Sequence, residues 1–504
     1  MTQFAPAAAQ PLAAIDMGSN SFRLEVARLH GGSYRRSLYL KETVRLGAGL
    51  DAEMRLTEAA MQRGLECLRR FAASLAGFPP ERVRAVATQT LREARNRDEF
   101  LQRAQEALGF PIEVISGREE ARLIFAGVAR LQTSSQQRLV IDIGGRSTEM
   151  ILGQGLTPER AESFGVGSVS LSLRFFPDGL FTDESFRDAQ VAAGAELEEA
   201  LTQFKPSRWK QALGSSGTVG AVSQVLQAAG VTDGRITPAA LRWCIDECLR
   251  AGSMDKLQLP GLKDDRRAVV AGGLCILYTL LTQFGINELL PAKGALRQGV
   301  IFDLAERLGG SSGTDDGQPR LDMREASVLA LQQRFGVDPA QALRVQNLAL
   351  ALHRKLLPRA PREAQRELAW AAALHEIGMM VSHHDHHRHT AYLLAHVDAP
   401  GFSQNQLRRL ADLALGQRGG LRKMEAALKD ESFLMQLLAL RLAVIIHHGR
   451  EPVNARSLQL QREGHQLRIR LPRAWMHEHP RTLFLLREEA DAWAKSGVLE
   501  MSLA

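Results

Sequence analysis

The chain has 504 residues, of which 45% are hydrophobic and 24% are charged, and its formal net charge is +7. This length exceeds what one hydrophobic core supports, and the composition excludes a disordered or fibrous protein. No apolar stretch is long enough to span a bilayer, the N-terminus lacks a secretory signal, and four cysteines are too few for a disulfide framework. We therefore expect a cytoplasmic protein of several domains with free cysteine thiols; peripheral contact with the inner face of the cell membrane stays open.

The first predicted element is a hairpin near the N-terminus. An apolar run ends in Asp16, and a second apolar run begins at Phe22. The turn between them contains Gly18, Ser19, Asn20 and Ser21. Glycine lets the backbone approach a ligand closely, and the N–H and hydroxyl groups of such a turn can bind an anion. A single turn of this kind is equally typical of an ordinary hairpin.

A predicted strand over Val83–Ala87 leads to a turn that contains Arg92, and a further strand covers Ile112–Ile115. Glu119 and Glu120 then begin a helix. Adjacent helical positions point about 100° apart, so only one of these two carboxylates can face a cleft squarely. That one can act as a general base, whereas the other fits the favourable electrostatics of a helix N-terminus. Arg92 fits either a phosphate contact or an ordinary surface arginine.

A second hairpin has the same pattern as the first. Its aspartate, Asp142, lies 126 residues after Asp16. Glu149 comes directly after the turn of this second hairpin. The turn consists of Gly144, Gly145, Arg146, Ser147 and Thr148. An aspartate at a strand end beside such a loop suits a hard cation or an attacking water. Two loops of this kind, facing each other across a cleft, would hold a phosphate chain.

A third glycine-rich turn precedes a predicted helix over Val219–Leu226. It consists of Gly214, Ser215, Ser216, Gly217 and Thr218. A helix N-terminus carries free N–H groups and positive dipole character, which suits an anion. Arg266 and Arg297 fit either phosphate contacts or surface ion pairs. Strands and helices alternate through the first 308 residues, which predicts an α/β fold with a phosphate-binding cleft.

The composition changes after residues 309–320, a Gly- and Ser-rich segment that we predict to be a linker. Residues 321–504 hold 25 Lys+Arg against 19 Asp+Glu, and 13 of the 14 histidines. Apolar residues there follow helical spacing to about residue 446, and Leu467–Leu471 alternates like a strand. A basic surface attracts polyanions, lipid headgroups or nucleic acid, but a solvated arginine-rich surface explains the excess equally well.

A histidine-rich run extends from His375 to His389. A metal-dependent phosphohydrolase of the HD type needs a His-Asp dyad with further ligands around its metal centre. Glu376 occupies the position of the dyad aspartate, which favours a helical scaffold without that metal site, or a polyanion-binding surface. Partly protonated histidines beside Arg388 would bind phosphate below about pH 6.5.

Together these motifs resemble the exopolyphosphatase / guanosine pentaphosphate phosphatase family, and most of all its long exopolyphosphatases. The matching segments are the two aspartate hairpins, Ser116–Leu123, Gly214–Thr218, Gly294–Gly299, Leu374–Gly378 and His387–Tyr392. The resemblance implies a two-lobed core of the actin and sugar-kinase (ribonuclease-H-like) fold, a helical HD-like C-terminal domain and a small terminal α+β piece. We place the two lobes at 1–125 and 126–308, the linker at 309–320, the helical domain at 321–450 and the terminal piece at 451–504.

The resemblance also assigns roles to residues. Glu120 matches the catalytic base, and Asp142 and Glu149 match the carboxylates of a Mg²⁺ site. The residues expected to bind phosphate, from the resemblance and the patterns above, are Asp16, Gly18, Ser19, Asn20, Ser21, Arg92, Gly144, Gly145, Ser147, Thr148, Gly214, Ser215, Ser216, Gly217, Thr218 and Arg266. Arg146 stands where the family usually has glycine; we expect it to point outward, with an added cation for a polyanion as the alternative.

The function predicted first is that of an exopolyphosphatase, which removes terminal phosphate from inorganic polyphosphate. The first alternative is removal of the 5′-phosphate of guanosine pentaphosphate at the same site. A more distant alternative is an actin-like ATP-binding module, which would have no need of a base such as Glu120. The resemblance implies a homodimer, and we expect no nucleic acid partner.

Overall fold

The computed structural model describes residues 10–30, 33–309, 322–453 and 458–503. The chain divides into two compact units, residues 1–320 and residues 321–504. The predicted linker at 309–320 lies outside the described residues except for residue 309.

The first lobe of the N-terminal unit is built on a five-stranded sheet. Its strands are β1 (Leu12–Met17), β2 (Ser21–His30), β3 (Ser33–Thr43), β4 (Val83–Ala87) and β5 (Ile112–Val114). Their order is β3-β2-β1-β4-β5, with antiparallel pairing among the first three and parallel pairing from β1 through β4 to β5. The helices that follow these strands are α1 (Glu58–Ser74), α2 (Gln89–Glu93), α3 (Arg97–Leu108) and α4 (Gly117–Leu131).

The second lobe repeats this topology. Its strands are β6 (Gln137–Ile143), β7 (Thr148–Gln154), β8 (Thr157–Phe164), β9 (Gln211–Ser215) and β10 (Leu290–Pro291). Their order is β8-β7-β6-β9-β10, again a three-stranded antiparallel meander continued by parallel strands. Its helices are α5 (Ser168–Phe175), α6 (Asp183–Leu197), α7 (Gly217–Ala228), α8 (Pro238–Ala251), α9 (Asp264–Gln283) and α10 (Leu296–Arg307). The predicted two-lobed α/β core is therefore confirmed.

A shared hydrophobic core joins the two lobes. Phe125 of α4 and Val300 of α10 pack in one cluster with Ala14 of β1 and Val140 of β6, so both sheets contribute to it. The predicted lobe boundary at 125/126 is wrong in detail, because it cuts through α4. That helix packs as one element between the sheets and cannot be divided between two independent cores.

The C-terminal unit is mostly helical, as predicted. Its helices and strands are α11 (Met323–Arg334), α12 (Pro339–Leu356), α13 (Arg362–Ala373), α14 (His386–His396), α15 (Gln404–Gly416), α16 (Glu431–Ile446), β11 (Gln459–Glu463), β12 (Gln466–Arg470), α17 (Arg473–Glu478), α18 (Pro480–Ser496) and β13 (Glu500–Leu503). Ile469 of β12 and Trp493 of α18 belong to the same hydrophobic cluster as Leu438 of α16. The piece at 451–504 therefore has no separate core from the helices before it.

Two further expectations concern the whole chain. All four cysteines are buried free thiols, as expected. Among the described residues, no helix is both long and apolar enough to cross a membrane.

Candidate active site

Two hairpin loops of the N-terminal unit have the same geometry. In loop 1 (residues 18–21) the N–H of Gly18 donates to the carbonyl oxygen of Ser21 at 3.3 Å, and in loop 2 (residues 144–147) Gly144 donates to Ser147 at 2.8 Å. Each loop thus has a two-residue tip. Within the described chain, no acceptor receives the backbone N–H groups at these tips, which belong to Ser19, Asn20, Gly145 and Arg146. Free N–H groups in a turn form an anion-binding site.

The tips of loops 1 and 2 meet. A Cβ atom added to Gly145 would lie 3.0 Å from Cβ of Ser19 and 3.7 Å from the backbone nitrogen of Asn20. Glycine at position 145 therefore allows the close approach of the two lobes. Asn20 Nδ2 and Ser21 Oγ are also buried without a hydrogen-bond partner in the described chain. Unpaired buried polar atoms are costly, and a bound ligand is one explanation for them.

The third loop (loop 3, residues 214–218) carries backbone strain. Ser216 has a φ of 129°, in a region that residues with a Cβ rarely adopt. Its hydroxyl caps α7 by accepting the N–H groups of Thr218 and Val219. Such strain clusters at functional sites, where the surrounding structure holds it in place.

Arg266 lies directly over loop 3. A Cβ atom on Gly217 would fall 1.9 Å from Nη2 of Arg266, so only glycine leaves room for this guanidinium. Burial lowers the pKa of Arg266, and the nearby charge of Arg23 lowers it further. The guanidinium makes no ion pair or hydrogen bond with another described residue. A half-buried, unpaired cation beside a second arginine is well suited to an anion.

Four carboxylates lie close together beside these loops: Asp16, Glu120 and Glu149, which are buried, and Asp142, which is half-buried. Burial raises the pKa of Asp142 to about 7, and the charges of Glu120 and Asp16 add to the rise. Burial also raises the pKa of Glu149 well above its usual range, with Glu120 and Asp142 as further causes. Asp142 and Glu149 therefore destabilise each other's charged forms, and neither makes an ion pair with a described arginine.

The two hairpins differ in what stands opposite each aspartate. Asp16 lies opposite Arg23 in the β1–β2 ladder, and its Oδ2 is 3.3 Å from Nη1 of Arg23 and 3.6 Å from Nη1 of Arg297. Asp142 lies opposite Glu149 in the β6–β7 ladder. The first aspartate is thus neutralised by arginine, whereas the second faces another carboxylate. This difference favours a cation at Asp142 and Glu149 rather than at Asp16.

The protein alone does not supply a complete set of metal ligands among its described residues. Within the described parts of the chain, no group of three or more His, Cys, Asp or Glu side chains is arranged to hold a metal ion. Mg²⁺ commonly binds through one or two carboxylates and completes its shell with water and substrate phosphate oxygens. The uncompensated pair Asp142 and Glu149 fits that mode of binding.

The adjacent glutamates Glu119 and Glu120 have different surroundings, as the helical geometry predicted. Ser116 caps α4 by accepting the N–H of Glu119, which places both glutamates in its first turn. Glu119 forms a buried bidentate ion pair with Arg122. Glu120 instead contacts Arg92, with 2.8 Å between Oε2 and Nη1. Burial raises the pKa of Glu120, and the Arg92 charge opposes that rise.

The phosphate contact of Arg92 stays a prediction, but most of its N–H groups already have partners inside the protein. Its Nε and Nη2 donate to Oε1 of Gln89 at 2.8 and 2.5 Å, and its Nη1 donates to the carbonyl of Ile115 and to Glu120. All three guanidinium nitrogens therefore have partners inside the protein. The structure places Arg92 beside the predicted base, as the group that orients it.

Three hydroxyls among the predicted phosphate ligands hold the loops together instead. Thr148 donates to the carbonyl of Val166 at 2.6 Å, and Thr218 donates to that of Ile143 at 3.1 Å. Ser215 donates to the carbonyl of Gly294 at 3.1 Å. These three hydroxyl protons shape the loops and are not available to phosphate, whereas the backbone N–H groups at the loop tips, Asn20 Nδ2, Ser21 Oγ and the Arg266 guanidinium have no partner in the described chain.

Arg146 does not point outward as predicted. Its Nε lies 2.7 Å from Oε2 of Glu93, and the pair is largely buried. Arg146 does not have a positive φ, so this position tolerates a side chain where the family usually has glycine. Sequence reasoning missed Glu93, because its partner Arg146 is 53 residues away in the chain. It also missed Gln89 and Arg23, whose partners are local.

Two histidines of the histidine-rich run, His386 and His387, are buried and do not belong to the cationic surface predicted for it. Burial is the main cause that lowers the pKa of His386 and of His387 to about 4. Both rings are therefore neutral at physiological pH, and the phosphate-binding role predicted for a protonated cluster is wrong for them. His384 is 93% exposed and lies 3.8 Å from Asp385.

Family models match both units of the chain. A model described as the Ppx/GppA phosphatase family covers residues 26–308, and one described as Ppx/GppA phosphatase, domain III covers residues 323–490.

Curated relatives match nearly the whole length. Proteins named guanosine-5'-triphosphate,3'-diphosphate pyrophosphatase are 37% identical in Vibrio vulnificus (strain YJ016), over 95% of each chain, and 35% identical in Aeromonas hydrophila, over 96% of this chain and 97% of the relative. The solved structure of the Aquifex aeolicus PPX-GPPA enzyme is 26% identical, with a TM-score of 0.50 over 58% of this chain and 98% of its own.

Proposed function

Because the chain belongs to the Ppx/GppA phosphatase family, it is a hydrolase of phosphoanhydride bonds, and we propose that its substrate is guanosine pentaphosphate. It would remove the terminal 5′-phosphate. The observation that carries this proposal is the near full-length similarity to relatives whose names specify guanosine-5'-triphosphate,3'-diphosphate. These relatives favour the predicted alternative over the exopolyphosphatase activity that was ranked first. Family membership and Glu120 both argue against a mere ATP-binding module.

In the proposed reaction Glu120 is the general base. It takes a proton from a water molecule that attacks the terminal phosphorus in line with the leaving oxygen. Burial raises the pKa of Glu120, which strengthens it as a base, while Arg92 keeps it ionised and oriented. The products are orthophosphate and guanosine tetraphosphate.

The terminal phosphate is held by the loop tips. The free N–H groups belong to loop tips that lie side by side on the two lobes, and Arg266 adds positive charge over loop 3. Such fixed donors cost no reorganisation when charge develops on the phosphoryl oxygens.

Asp142 and Glu149 would hold Mg²⁺, since their mutual repulsion is what a bound cation relieves. When bound, Mg²⁺ would neutralise charge on the phosphate chain and on the leaving group.

Localisation in the cytoplasm and assembly as a homodimer stay predictions. Light scattering of the purified chain tests whether it is a homodimer.

Product analysis tests the proposal. The purified chain is incubated with guanosine pentaphosphate and Mg²⁺, and the products are separated by anion exchange and identified by ³¹P NMR. We expect guanosine tetraphosphate and orthophosphate in equal amounts. Release of pyrophosphate, or loss of the 3′-phosphates, would show that a different bond is cleaved.

A further inference from the structure

A continuous chain of hydrogen bonds joins loop 2 to the base. Arg146 Nε contacts Glu93 Oε2 at 2.7 Å, and Gln89 Nε2 donates to Glu93 Oε1 at 2.6 Å. Oε1 of Gln89 then accepts from Arg92 at 2.8 Å, and Arg92 Nη1 donates to Glu120 Oε2 at 2.8 Å. The amide of Gln89 bonds at both ends, with its oxygen accepting from Arg92 and its nitrogen donating to Glu93.

The chain of contacts crosses between the lobes. Gln89, Arg92 and Glu93 all lie on the five-residue helix α2 of the first lobe, whereas Arg146 belongs to loop 2 of the second. To reach Glu93, the Arg146 side chain passes over Gly47, where an added Cβ would come within 3.1 Å of its Cδ. The Arg146–Glu93 contact can therefore form only when the two lobes are close together at the point where the phosphate loops meet.

We propose that Arg146 and Glu93 are positioning residues, which hold Arg92 and so orient Glu120 when loop 2 closes on the first lobe. The proposal rests on the proposed function, because it assigns Glu120 as the base. On this proposal, the arginine that replaces the family's usual glycine at position 146 helps to orient the base. It does so without contacting the substrate.

Loss of either residue has a predictable effect. Without Arg146, Glu93 loses its charged partner and can draw Gln89 and Arg92 away from Glu120. Turnover should fall while substrate binding is kept, because the phosphate loops are unchanged. Since the Arg92 charge lowers the pKa of Glu120, its displacement should move the acid limb of the kcat profile to higher pH.

The test is a double-mutant cycle with Arg146→Ala, Glu93→Ala and the combined variant, in the full chain. We expect each single variant to lower kcat roughly tenfold with little change in KM, and the combined variant to be no worse than either, because both changes break the same contact. The acid limb should shift in all three, and Arg146→Lys should recover part of the loss.

Lys41→Ala is the matched control, since Lys41 forms another ion pair between the lobes, with Asp265 at 2.7 Å. Its kcat profile should keep the wild-type acid limb. A higher KM with unchanged kcat in Arg146→Ala would overturn the proposal and make Arg146 a substrate ligand. Wild-type kinetics in all variants would also overturn it, while the proposed function would stand on the wild-type activity measured in parallel.

A separate observation concerns a cavity of about 1010 Å³ within the C-terminal unit, none of whose lining residues takes part in the proposed reaction. Buried His375, Glu376 and Gln417 line one part of it. His375 Nδ1 lies 2.7 Å from the carbonyl oxygen of Ala372 and must donate to it. Burial lowers the pKa of His375, so its ring is neutral and Nε2 is an acceptor.

Other parts of the lining have different chemistry. Leu421 and Val444 supply aliphatic surface, and the exposed Arg418 and Arg422 form no ion pair with described residues. Glu376 already accepts from Arg450, so the unpaired acceptors in this part of the described chain are Nε2 of His375 and Oε1 of Gln417. The geometry points to a nucleotide as the ligand: a base whose N–H groups donate to these two acceptors, with its planar face on the aliphatic wall and its phosphate at the guanidinium groups. Inorganic polyphosphate lacks the first two features. The volume is at the upper end for small-molecule sites, about 300–1,000 Å³.

Binding of GMP and AMP to the full chain tests this second inference, because neither contains a phosphoanhydride bond that the proposed reaction cleaves. Calorimetry should show binding that the double change Arg418→Ala, Arg422→Ala weakens at least tenfold, and that the exposed Arg473→Ala leaves unchanged. Absence of binding, or weakening by Arg266→Ala instead, would overturn it. Equal loss of tripolyphosphate binding in the double variant would reassign the cavity to inorganic polyanions and overturn it as well.

Discussion

At the scale of single residues, two neighbouring glutamates show how surroundings decide a role. Glu119 lies in a buried network in which Arg122 also contacts Asp303. Glu120, one position later, faces the carboxylate cluster and is held by Arg92. The first residue therefore contributes to stability, and the second is available for proton transfer.

Glu120→Gln should lower kcat by roughly 10² to 10⁴, the range typical for loss of a general base, while substrate binding and melting temperature change little. Glu119→Gln should leave kcat nearly unchanged and lower the melting temperature, because it leaves Arg122 with one fewer buried charge partner. Kinetics and thermal melts of both variants check this. Equal losses of activity in the two folded variants would show that the roles are wrongly assigned.

Asp142 makes Mg²⁺ binding depend on pH. Its pKa of about 7 lies above the usual value, so protons compete with the cation as pH falls below 7. The Mg²⁺ concentration that half-saturates the protein, measured by calorimetry, should therefore rise between pH 8 and pH 6. Asp142→Asn should weaken Mg²⁺ binding at pH 8 and flatten this dependence. A wild-type titration curve for that variant would remove Asp142 from the metal site.

At the scale of elements, the sequence predicts the hairpins and loops well. Their apolar runs and glycine turns are local signals, and β1, β2, β6 and β7 lie where those signals place them. Glu93 and the inward turn of Arg146 could not be predicted, because these two residues are 53 positions apart and meet only on folding. The contact between Arg92 and Glu120 was not predicted for the same reason, since 28 residues separate them in the chain. Arg23 lies opposite Asp16 in the predicted hairpin, so its role was open to prediction and was missed.

Loop 3 allows a test with a matched pair of glycines. Gly217→Ala places a Cβ on the guanidinium of Arg266, so this arginine must move and KM should rise several-fold. Gly220→Ala, on the same helix with nothing within 4 Å of its new Cβ, should leave kinetics unchanged and raise stability by about 0.5–1 kcal/mol. If the two variants have the same KM, Arg266 does not contact substrate.

At the scale of the whole molecule, the two lobes contain every residue assigned to the chemistry. The Aquifex aeolicus enzyme matches 98% of its own length to 58% of this chain, so a family member of about two lobes exists. A fragment of residues 1–320, the first compact unit, should therefore hydrolyse guanosine pentaphosphate if it folds. Circular dichroism establishes folding first. A folded fragment without activity would show that the C-terminal unit is needed for catalysis.

The most direct test of the central claim compares kcat/KM for guanosine pentaphosphate and for long-chain polyphosphate, with one preparation of the full chain and Glu120→Gln beside it. We expect kcat/KM at least tenfold higher for guanosine pentaphosphate, and loss of both activities in the variant, because one base serves one site. A higher kcat/KM for polyphosphate would contradict the proposed substrate, and undiminished hydrolysis by Glu120→Gln would contradict the proposed mechanism.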